Sequence, residues 1–575
     1  TTITLSDVVS PRFYFSKHSI SINSSQIDAN STFHLETNSA FPLISAYADY
    51  NKASYMELSF PRKPAFNGES DMLLEVTSSP VDLFLDATGW TAGNTPFIYD
   101  LENKWRISTQ YNSTSGSLKC NFKAGDRRKI FISTEASITS IASQDIIAVG
   151  SNGQFTEPIN NTDSTYIIIT NKALKTSAEA YENYRKEQFN TAIFYIDELY
   201  DQFGAGIPRH PQSIRGFIEY AFDNWPSAPS HLFLIGKSVE ESEYRGSAAQ
   251  EATVLVPTMC YPPSDNMLTA GLNGKPVHVP LIPTGRITAQ TNADVNLYLQ
   301  KIKAQENTIS DVSGSYTINN KLWQKRILHF AGGDDTDENE SFRNYLDGFA
   351  YYAESSEMGA QRILFSKTTS NAIEQLDVDS VRTLIRDGVA IMNFFGHGSG
   401  NNFDVSVDNP EDWGNEFEGR YPLVIANSCY SGNIHRPVSS PSISEDYVFT
   451  PNEGAIGFVA TPSESAAAPL ATYTTKLYEQ MSTLNYGKTL GQQMLATANS
   501  LSATTSNIGV SLEMTLHGDP ALKVFPHSLP EITINDIDFG PAIRYQPEAI
   551  TSNIDSFKVF VEVTNLGRSV TEPLN

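Results

Sequence analysis

The sequence has few cysteines, no excess of basic residues and no long apolar run. Its 575 residues include three cysteines, Cys120, Cys260 and Cys429, without CxxC spacing, and this excludes a disulfide framework and a cysteine zinc site. A formal charge of −25 argues against nucleic acid or an anionic membrane as the main partner. No apolar run is long enough to span a bilayer, so we expect no transmembrane segment. The first residues lack the charged and apolar regions of a signal peptide, and we expect a mature chain.

The pattern of apolar residues divides the chain into three regions. Residues 1–160 are rich in Ser, Thr and aromatic residues in short alternating segments, which predicts a β-sandwich-like domain. Residues 164–526 alternate apolar strands with amphipathic helices, which predicts an α/β domain with a mostly parallel sheet and subdomains of about 164–310 and 320–526. Alternation returns in residues 530–575, which predict the start of a C-terminal β-domain that the chain is too short to complete.

Two apolar runs in the α/β region end in reactive side chains. Residues 389–395 lead to His397, and residues 423–427 lead to Cys429. If both runs are neighbouring strands of a parallel sheet, the imidazole and the thiol lie side by side at its carboxyl edge, where ligands gather. A thiol beside an imidazole is a nucleophile with its base. A lone cysteine after an apolar run is more often a buried structural thiol, which is our interpretation of Cys120 and Cys260.

Seven segments then occur in an order that matches one family. They are IDELYDQF at 196–203, SIR at 213–215, LFLIG at 232–236, YPPSDN at 261–266, IPTGR at 282–286, GHGS at 396–399 with Cys429 beyond it, and GDPAL at 518–522. In these segments the chain resembles the gingipain-type cysteine peptidases, peptidase family C25. That family includes the sortase-like peptidases of the bacterial type IX secretion system. The resemblance covers about two thirds of the chain.

The resemblance implies a fold and a set of site residues. It implies a multidomain protein with a caspase-like α/β peptidase domain followed by an immunoglobulin-like module. It assigns Cys429 as the nucleophile of an acyl-enzyme, His397 as base and acid, and the backbone N–H groups of Gly398 and Cys429 as the oxyanion hole. The carboxylate that orients the histidine falls on Asp334 (or Asp335). Glu464 follows the next strand, where the family builds a wall of the substrate pocket.

Two further features bear on the site. The acidic loop around Asp334 can orient His397, remain solvated, or bind a hard cation such as calcium, and these interpretations stay open. No cofactor is needed for the chemistry, and a structural Ca²⁺ is expected only because related enzymes bind it. Phe342 stands near the position of the pocket aspartate of the arginine-specific gingipains. Because a basic side chain needs a buried counter-charge, we do not expect trypsin-like selection of arginine.

The leading hypothesis is therefore a cysteine endopeptidase, a hydrolase that acts on proteins or peptides. It is either a secreted degradative protease or a sortase-like processor with transpeptidase activity on the C-terminal signals of type IX secreted proteins. In the second case, type IX secretion components are its partners. We expect a secreted or cell-surface, outer-membrane-associated bacterial protein. The alternative is a non-catalytic binding or scaffold protein with a vestigial peptidase domain. A caspase-like intracellular regulator is disfavoured by the β-rich flanks.

Overall fold

The computed structural model describes most of the chain from residue 63 onwards. The described residues are 23, 63, 65–69, 71–90, 94–137, 140–142, 164–310, 318–376, 378–407, 409–415, 419–525, 527–534, 543–547 and 549–570. The chain forms two compact units, the first comprising Thr1–Asp7 and Lys17–Gln154, and the second Val8–Ser16 and Phe155–Asn575. The boundary predicted between 160 and 164 falls largely outside the described residues.

The described part of the first unit consists of antiparallel strands in two sheets. One sheet has the order β1-β7-β3-β4 and the other the order β2-β6-β5. The strands are β1 (Met72–Val76), β2 (Leu83–Ala87), β3 (Pro96–Asp100), β4 (Trp105–Ile107), β5 (Thr109–Asn112), β6 (Ser117–Phe122) and β7 (Arg128–Thr134). Leu118 and Ile132 lie in their shared core, as does Cys120. Burial raises the pKa of the Cys120 thiol to about 12, which makes it unreactive. The prediction of a sandwich over residues 1–160 extends beyond the described residues.

The second unit is built on a ten-stranded sheet. Its order is β13-β12-β15-β17-β18-β19-β11-β10-β8-β9. The strands are β8 (Thr165–Thr170), β9 (Asn190–Tyr195), β10 (His231–Ile235), β11 (Thr284–Ile287), β12 (Arg326–Ala331), β13 (Gln361–Ser366), β15 (Ile391–Phe395), β17 (Leu423–Asn427), β18 (Gly457–Ala460) and β19 (Thr515–His517), while β14 (Glu374–Gln375) and β16 (Val405–Ser406) pair separately. All neighbours in the large sheet are parallel except β18 and β19. The prediction of a mostly parallel sheet is confirmed.

Helices cover this sheet. They are α1 (Lys175–Arg185), α2 (Ile196–Phe203), α3 (Gln212–Asn224), α4 (Glu241–Tyr244), α5 (Ala248–Glu251), α6 (Asn292–Ser310), α7 (Ile318–Lys321), α8 (Thr336–Glu354), α9 (Val378–Asp387), α10 (Ile443–Phe449), α11 (Ala467–Glu479), α12 (Leu490–Ser500) and α13 (Thr505–Glu513). Alternate strand residues enter different cores: Ile168 joins one cluster and Ile167 the other. Burial on both faces explains the apolar runs of the sequence, because residues on either face of these strands pack against an apolar core.

Three of the family-like segments take part in two buried ion pairs. Arg286 of the IPTGR segment is fully buried and binds the Asp265 carboxylate of the YPPSDN segment through Nε at 2.6 Å and Nη2 at 2.8 Å. Asp519 of the GDPAL segment is fully buried and accepts hydrogen bonds from Arg185 and Tyr166. Buried charges are tolerated only when they are paired and hydrogen-bonded. These segments therefore hold the sheet and its loops together.

The C-terminal part of the second unit contains two short strand pairs. β20 (Ile532–Ile534) pairs with β23 (Val563–Asn565), and β21 (Ile543–Gln546) pairs with β22 (Lys558–Val561), both antiparallel. Lys325, just before β12, is buried and donates to the carbonyl oxygen of Gly567. Burial lowers the pKa of Lys325 to about 8. The immunoglobulin-like character of residues 530–575 stays a prediction.

No helix among the described residues combines the length and the apolar character that crossing a bilayer requires.

Candidate active site

The two predicted strand ends lie next to each other in the sheet. β15 and β17 are parallel neighbours, and Phe395 is paired with Asn427 at their carboxyl ends. His397 and Cys429 each follow two residues after this pair. The N–H of Gly396 donates to the Asn427 carbonyl at 3.3 Å, which keeps the two chains together beyond the strands. The imidazole and the thiol therefore leave the sheet at the same level, as the sequence predicts.

The imidazole of His397 is oriented by acidic side chains. Its Nε2 lies 2.9 Å from Oε2 of Glu338 and 3.7 Å from Oδ2 of Asp334. A carboxylate can only accept, so Nε2 carries a proton and donates it to Glu338. Nδ1 has no hydrogen-bond partner among the described residues. It is therefore the ring nitrogen that can exchange a proton with a thiol.

The acidic neighbours set the charge balance of the histidine. Burial lowers the pKa of His397, but the hydrogen bond and charge of Glu338 and the charges of Asp334 and Asp404 raise it more, so it lies above the ordinary value. Burial raises the pKa of Glu338, but the N–H of Asp334 and the bond to His397 lower it more, so the net shift is downward. Glu338 is therefore ionised at neutral pH, and it stabilises the protonated imidazole.

The acidic loop brings Asp334, one of the two predicted residues, to the histidine and places Asp335 at the start of α8. Asp334 lies beside His397, at the 3.7 Å separation given above, and also 3.6 Å from the Lys367 ammonium. Asp335 instead caps α8, because its Oδ1 accepts the N–H of Glu338 at 2.8 Å. Glu338 makes the closer contact with the histidine, and the sequence interpretation missed it. An Asp followed three residues later by a Glu is a helix-start pattern. That pattern could have predicted that the Glu338 side chain turns back from the first turn of α8 towards the end of β12.

Asp404 connects the turn that carries His397 with the acidic loop that carries Asp334. Its N–H donates to the His397 carbonyl at 3.0 Å, and its Oδ2 accepts the N–H of Gly333 at 2.7 Å. A Cβ on Gly396 would lie 2.4 Å from Oδ1 of Asp404, so only glycine fits in front of the histidine. Burial raises the pKa of Asp404 more than the N–H groups of Gly333 and His397 and the charge of Lys367 lower it.

The thiol of Cys429 lies on a turn with free backbone donors. Its Sγ lies 3.7 Å from the Ser465 carbonyl oxygen, within reach of an S–H hydrogen bond. The backbone N–H groups of Gly398 and Cys429 have no acceptor within the described part of the chain. A Cβ on Gly398 would lie 2.7 Å from Oγ of Ser428, so the glycine allows the two turns to approach closely. Two free N–H groups beside a nucleophile suit a developing oxyanion.

Two residues bear on substrate selection. Glu464 is exposed on the loop after β18, and the neighbouring Ser463 carbonyl accepts the N–H of Tyr430 at 3.0 Å. Its carboxylate therefore belongs to a loop that touches the nucleophile turn. Phe342 is buried, and its ring contacts that of His397 at 6.0 Å between centroids in an edge-on arrangement. Phe342 therefore packs against the imidazole of His397.

Asp334, Glu338 and His397 form an acidic cluster that could in principle hold a metal ion. The ligand atoms of Asp334, Glu338 and His397 all lie within 4.8 Å of one another. Calcium takes six to eight oxygen ligands, whereas this group supplies one imidazole and two carboxylates beside the Lys367 ammonium. These residues do not fit calcium. The expected structural Ca²⁺ thus has no location in this cluster.

We expect Glu338→Gln to lower the pKa of His397. The amide keeps the size of the side chain but removes the negative charge that stabilises the imidazolium. An NMR titration of the His397 ring in a Cys429→Ala background measures this pKa without turnover. Asp337→Asn removes an exposed charge from the same helical turn and is the matched control. An unchanged or raised His397 pKa in Glu338→Gln would contradict the assignment.

Comparison with solved structures finds low sequence identity to three structures of two proteins. The crystal structure of the Arg-specific cysteine proteinase gingipain R (RgpB) is 14% identical over 68% of this chain and 83% of that chain, with a TM-score of 0.45. The complex of Porphyromonas gingivalis RgpB pro- and mature domains is 14% identical over 66% and 83%, with a TM-score of 0.46. Dimeric latent PorU from Porphyromonas gingivalis is 12% identical over 48% and 30%, with a TM-score of 0.29.

Comparison with curated proteins finds no match. Comparison with protein families gives a clear assignment. The family described as peptidase family C25 has a model that matches residues 159–525, more than half of the chain. The match begins before β8 and ends after β19, so it contains the whole ten-stranded sheet. The family resemblance inferred from the seven segments is confirmed, and the chain belongs to peptidase family C25.

Proposed function

We propose that this protein is an active cysteine peptidase that cleaves peptide bonds through an acyl-enzyme on Cys429. One observation carries the proposal. His397 and Cys429 follow paired ends of neighbouring parallel strands, and a carboxylate binds the ring nitrogen Nε2 of His397. A nucleophile, a base and a group that orients the base are the parts that covalent acyl transfer needs.

The proposed reaction has two stages. His397 Nδ1 takes the thiol proton while Cys429 Sγ forms a bond to the substrate carbonyl carbon. The negative charge on the carbonyl oxygen is stabilised by the N–H groups of Gly398 and Cys429. The C–N bond then breaks, and the imidazolium gives its proton to the leaving amine. Water, deprotonated by His397, attacks the thioester, and the thiolate leaves and is protonated again.

We further propose protein or peptide substrates and a processing role at the bacterial surface, secreted or associated with the outer membrane. Support for this finer assignment comes from the family membership and from the separate N-terminal β unit. In a sortase-like transfer an amine of a second molecule replaces the water. Peptide products formed with an added amine, detected by mass spectrometry, distinguish transpeptidation from hydrolysis.

A substrate-like thiol probe tests the proposed chemistry. A peptidyl acyloxymethyl ketone should label the native protein once, at Cys429, because the reaction needs an activated thiol in a peptide-binding site. Cys260→Ala is the matched control and should be labelled like the wild type, since Cys260 packs against a hydrophobic core. Native protein that takes up no label at Cys429, across a library of probe sequences, would favour the scaffold alternative.

A further inference from the structure

The turn that carries Cys429 rests on one loop. This loop, residues 461–465, follows β18 and is called the support loop below. Besides the contacts of Ser465 with the thiol and of Ser463 with Tyr430, the Thr461 carbonyl accepts the N–H of Gly432 at 2.9 Å. Three carbonyl groups of the support loop thus hold three of the four residues 429–432 around the thiol. The position of the sulfur depends on the position of this loop.

A buried carboxylate gathers the side chains of the support loop. Oε2 of Glu513 lies 2.6 Å from Oγ of Ser463, 3.1 Å from Oγ of Ser465 and 3.3 Å from Oγ1 of Thr461. Glu513 is only 4% exposed. A carboxylate has no proton to donate, so it directs the hydroxyl protons towards itself.

The helix end that carries Glu513 is itself anchored by the YPPSDN segment. Oγ of Ser264 donates to the Leu512 carbonyl, and Nδ2 of Asn266 donates to the carbonyls of Met514 at 2.9 Å and Ser511 at 3.1 Å. The carbonyls of Ser511 and Leu512 belong to the last turn of α13, and Met514 caps it. Helices leave the acceptors of this turn unsatisfied. Glu513 therefore projects from a fixed point.

The same segment is tied to the sheet. Asp265, between the two anchoring residues, forms the buried ion pair with Arg286 of β11. Arg286 also donates to the carbonyls of Gly236 at 2.8 Å and Val256 at 2.9 Å. A continuous set of contacts thus runs from a central strand through the YPPSDN segment to Glu513. From Glu513 it continues through the support loop to the thiol.

We propose that Glu513 is a positioning residue for Cys429, holding the support loop so that the sulfur stays aligned with His397 and the oxyanion donors. This role rests on the proposed peptidase function. It also gives the YPPSDN and IPTGR segments one shared role. Together they hold Glu513 in place, and Glu513 in turn holds the support loop. A displacement of the reacting atoms by 1 Å can cost about 100-fold in rate, so a loss of this support should be visible in turnover.

The test compares Glu513→Ala, Glu513→Gln and the control Glu219→Gln, which removes an exposed glutamate on α3. We expect Glu513→Ala to lower kcat about tenfold or more, with a smaller change in KM. Glu513→Gln should recover part of kcat, since its oxygen still accepts hydroxyl protons but its NH₂ group needs an acceptor. A combined Glu513→Ala and Ser463→Ala variant should lose no more than the worse single variant, because both act on one contact.

A second measurement is independent of activity. In Glu513→Ala, hydrogen–deuterium exchange at the amides of Tyr430 and Ser463 should become about tenfold faster. The melting temperature of the second unit should not change. Wild-type kcat and exchange in Glu513→Ala would overturn the positioning role, as would an equal loss in Glu219→Gln. If Cys429→Ala keeps full cleaving activity, the proposed function fails instead. The exchange data would still decide whether Glu513 holds the loop.

Discussion

Replacing Cys429 by alanine is expected to reduce kcat/KM for peptide cleavage by about 10⁴-fold or more. In the proposed mechanism the thiol is the covalent nucleophile, and in the described structure no other cysteine follows a strand that pairs with β15. What remains would come from substrate binding and the two backbone donors, which still stabilise an oxyanion formed by water. The measurement is initial rates on a peptide-library substrate with purified wild type and variant.

Two variants give this result its meaning. Cys260→Ala should retain wild-type rates, because Cys260 packs against the hydrophobic cluster that contains Ile167. Cys429→Ser should be nearly as inactive as Cys429→Ala, since a hydroxyl is far less acidic than a thiol and His397 is built to serve the thiol. Full activity in Cys429→Ala would refute the acyl-enzyme at this position.

Asp519→Ala is expected to lower the free energy of unfolding of the second unit by about 3–5 kcal/mol, the cost of breaking a buried ion pair. Asp519 and Arg185 are both fully buried, and Oδ2 of Asp519 lies 2.6 Å from Nη2 of Arg185. The hydroxyls of Tyr166 and Tyr181 also donate to the Asp519 carboxylate. The variant leaves a buried guanidinium with the Glu306 carboxylate at 2.7 Å and the Gln188 side-chain oxygen at 3.2 Å. It also leaves the two tyrosine hydroxyls without their carboxylate acceptor.

Urea denaturation followed by tryptophan fluorescence measures this loss. Asp223→Ala, which removes an exposed aspartate from α3, is the control and should change stability by less than about 0.5 kcal/mol. Asp519→Asn should lie between the two, because the amide oxygen still accepts from the tyrosines but the charge is lost. Equal transition midpoints for Asp519→Ala and Asp223→Ala would contradict the assigned role.

The reactive pair could be predicted because its signal is local. β15 and β17 are buried on both faces, so each is an unbroken apolar run, and the residues after the runs are visible in the sequence. Glu338 was missed because its contact with His397 depends on where α8 begins. Asp404 could not be assigned from the sequence because it lies below the histidine only after β16 has paired with β14. Long-range packing of this kind leaves no periodic pattern.

The strand β19 escaped prediction for a different reason. It has three residues, Thr515–His517, and ends in a histidine, so it shows neither the length nor the apolar run of a central strand. Its histidine is buried and hydrogen-bonded to Ser444 at 2.8 Å. Burial lowers the pKa of His517 to about 3, so the ring stays neutral in the core. The neighbouring strands determine its place more than its own sequence does.

The antiparallel contact between β18 and β19 changes where substrate-selecting residues should be sought. Five strands run one way and five the other. In a sheet of a single direction, ligand contacts arise from loops that leave the strands at their carboxyl ends. Here the edge that holds the thiol also receives the loops that lead into β10 and β11. For the proposed peptidase, substrate-selecting residues should therefore be sought in both halves of the sheet, in outgoing loops of one half and incoming loops of the other.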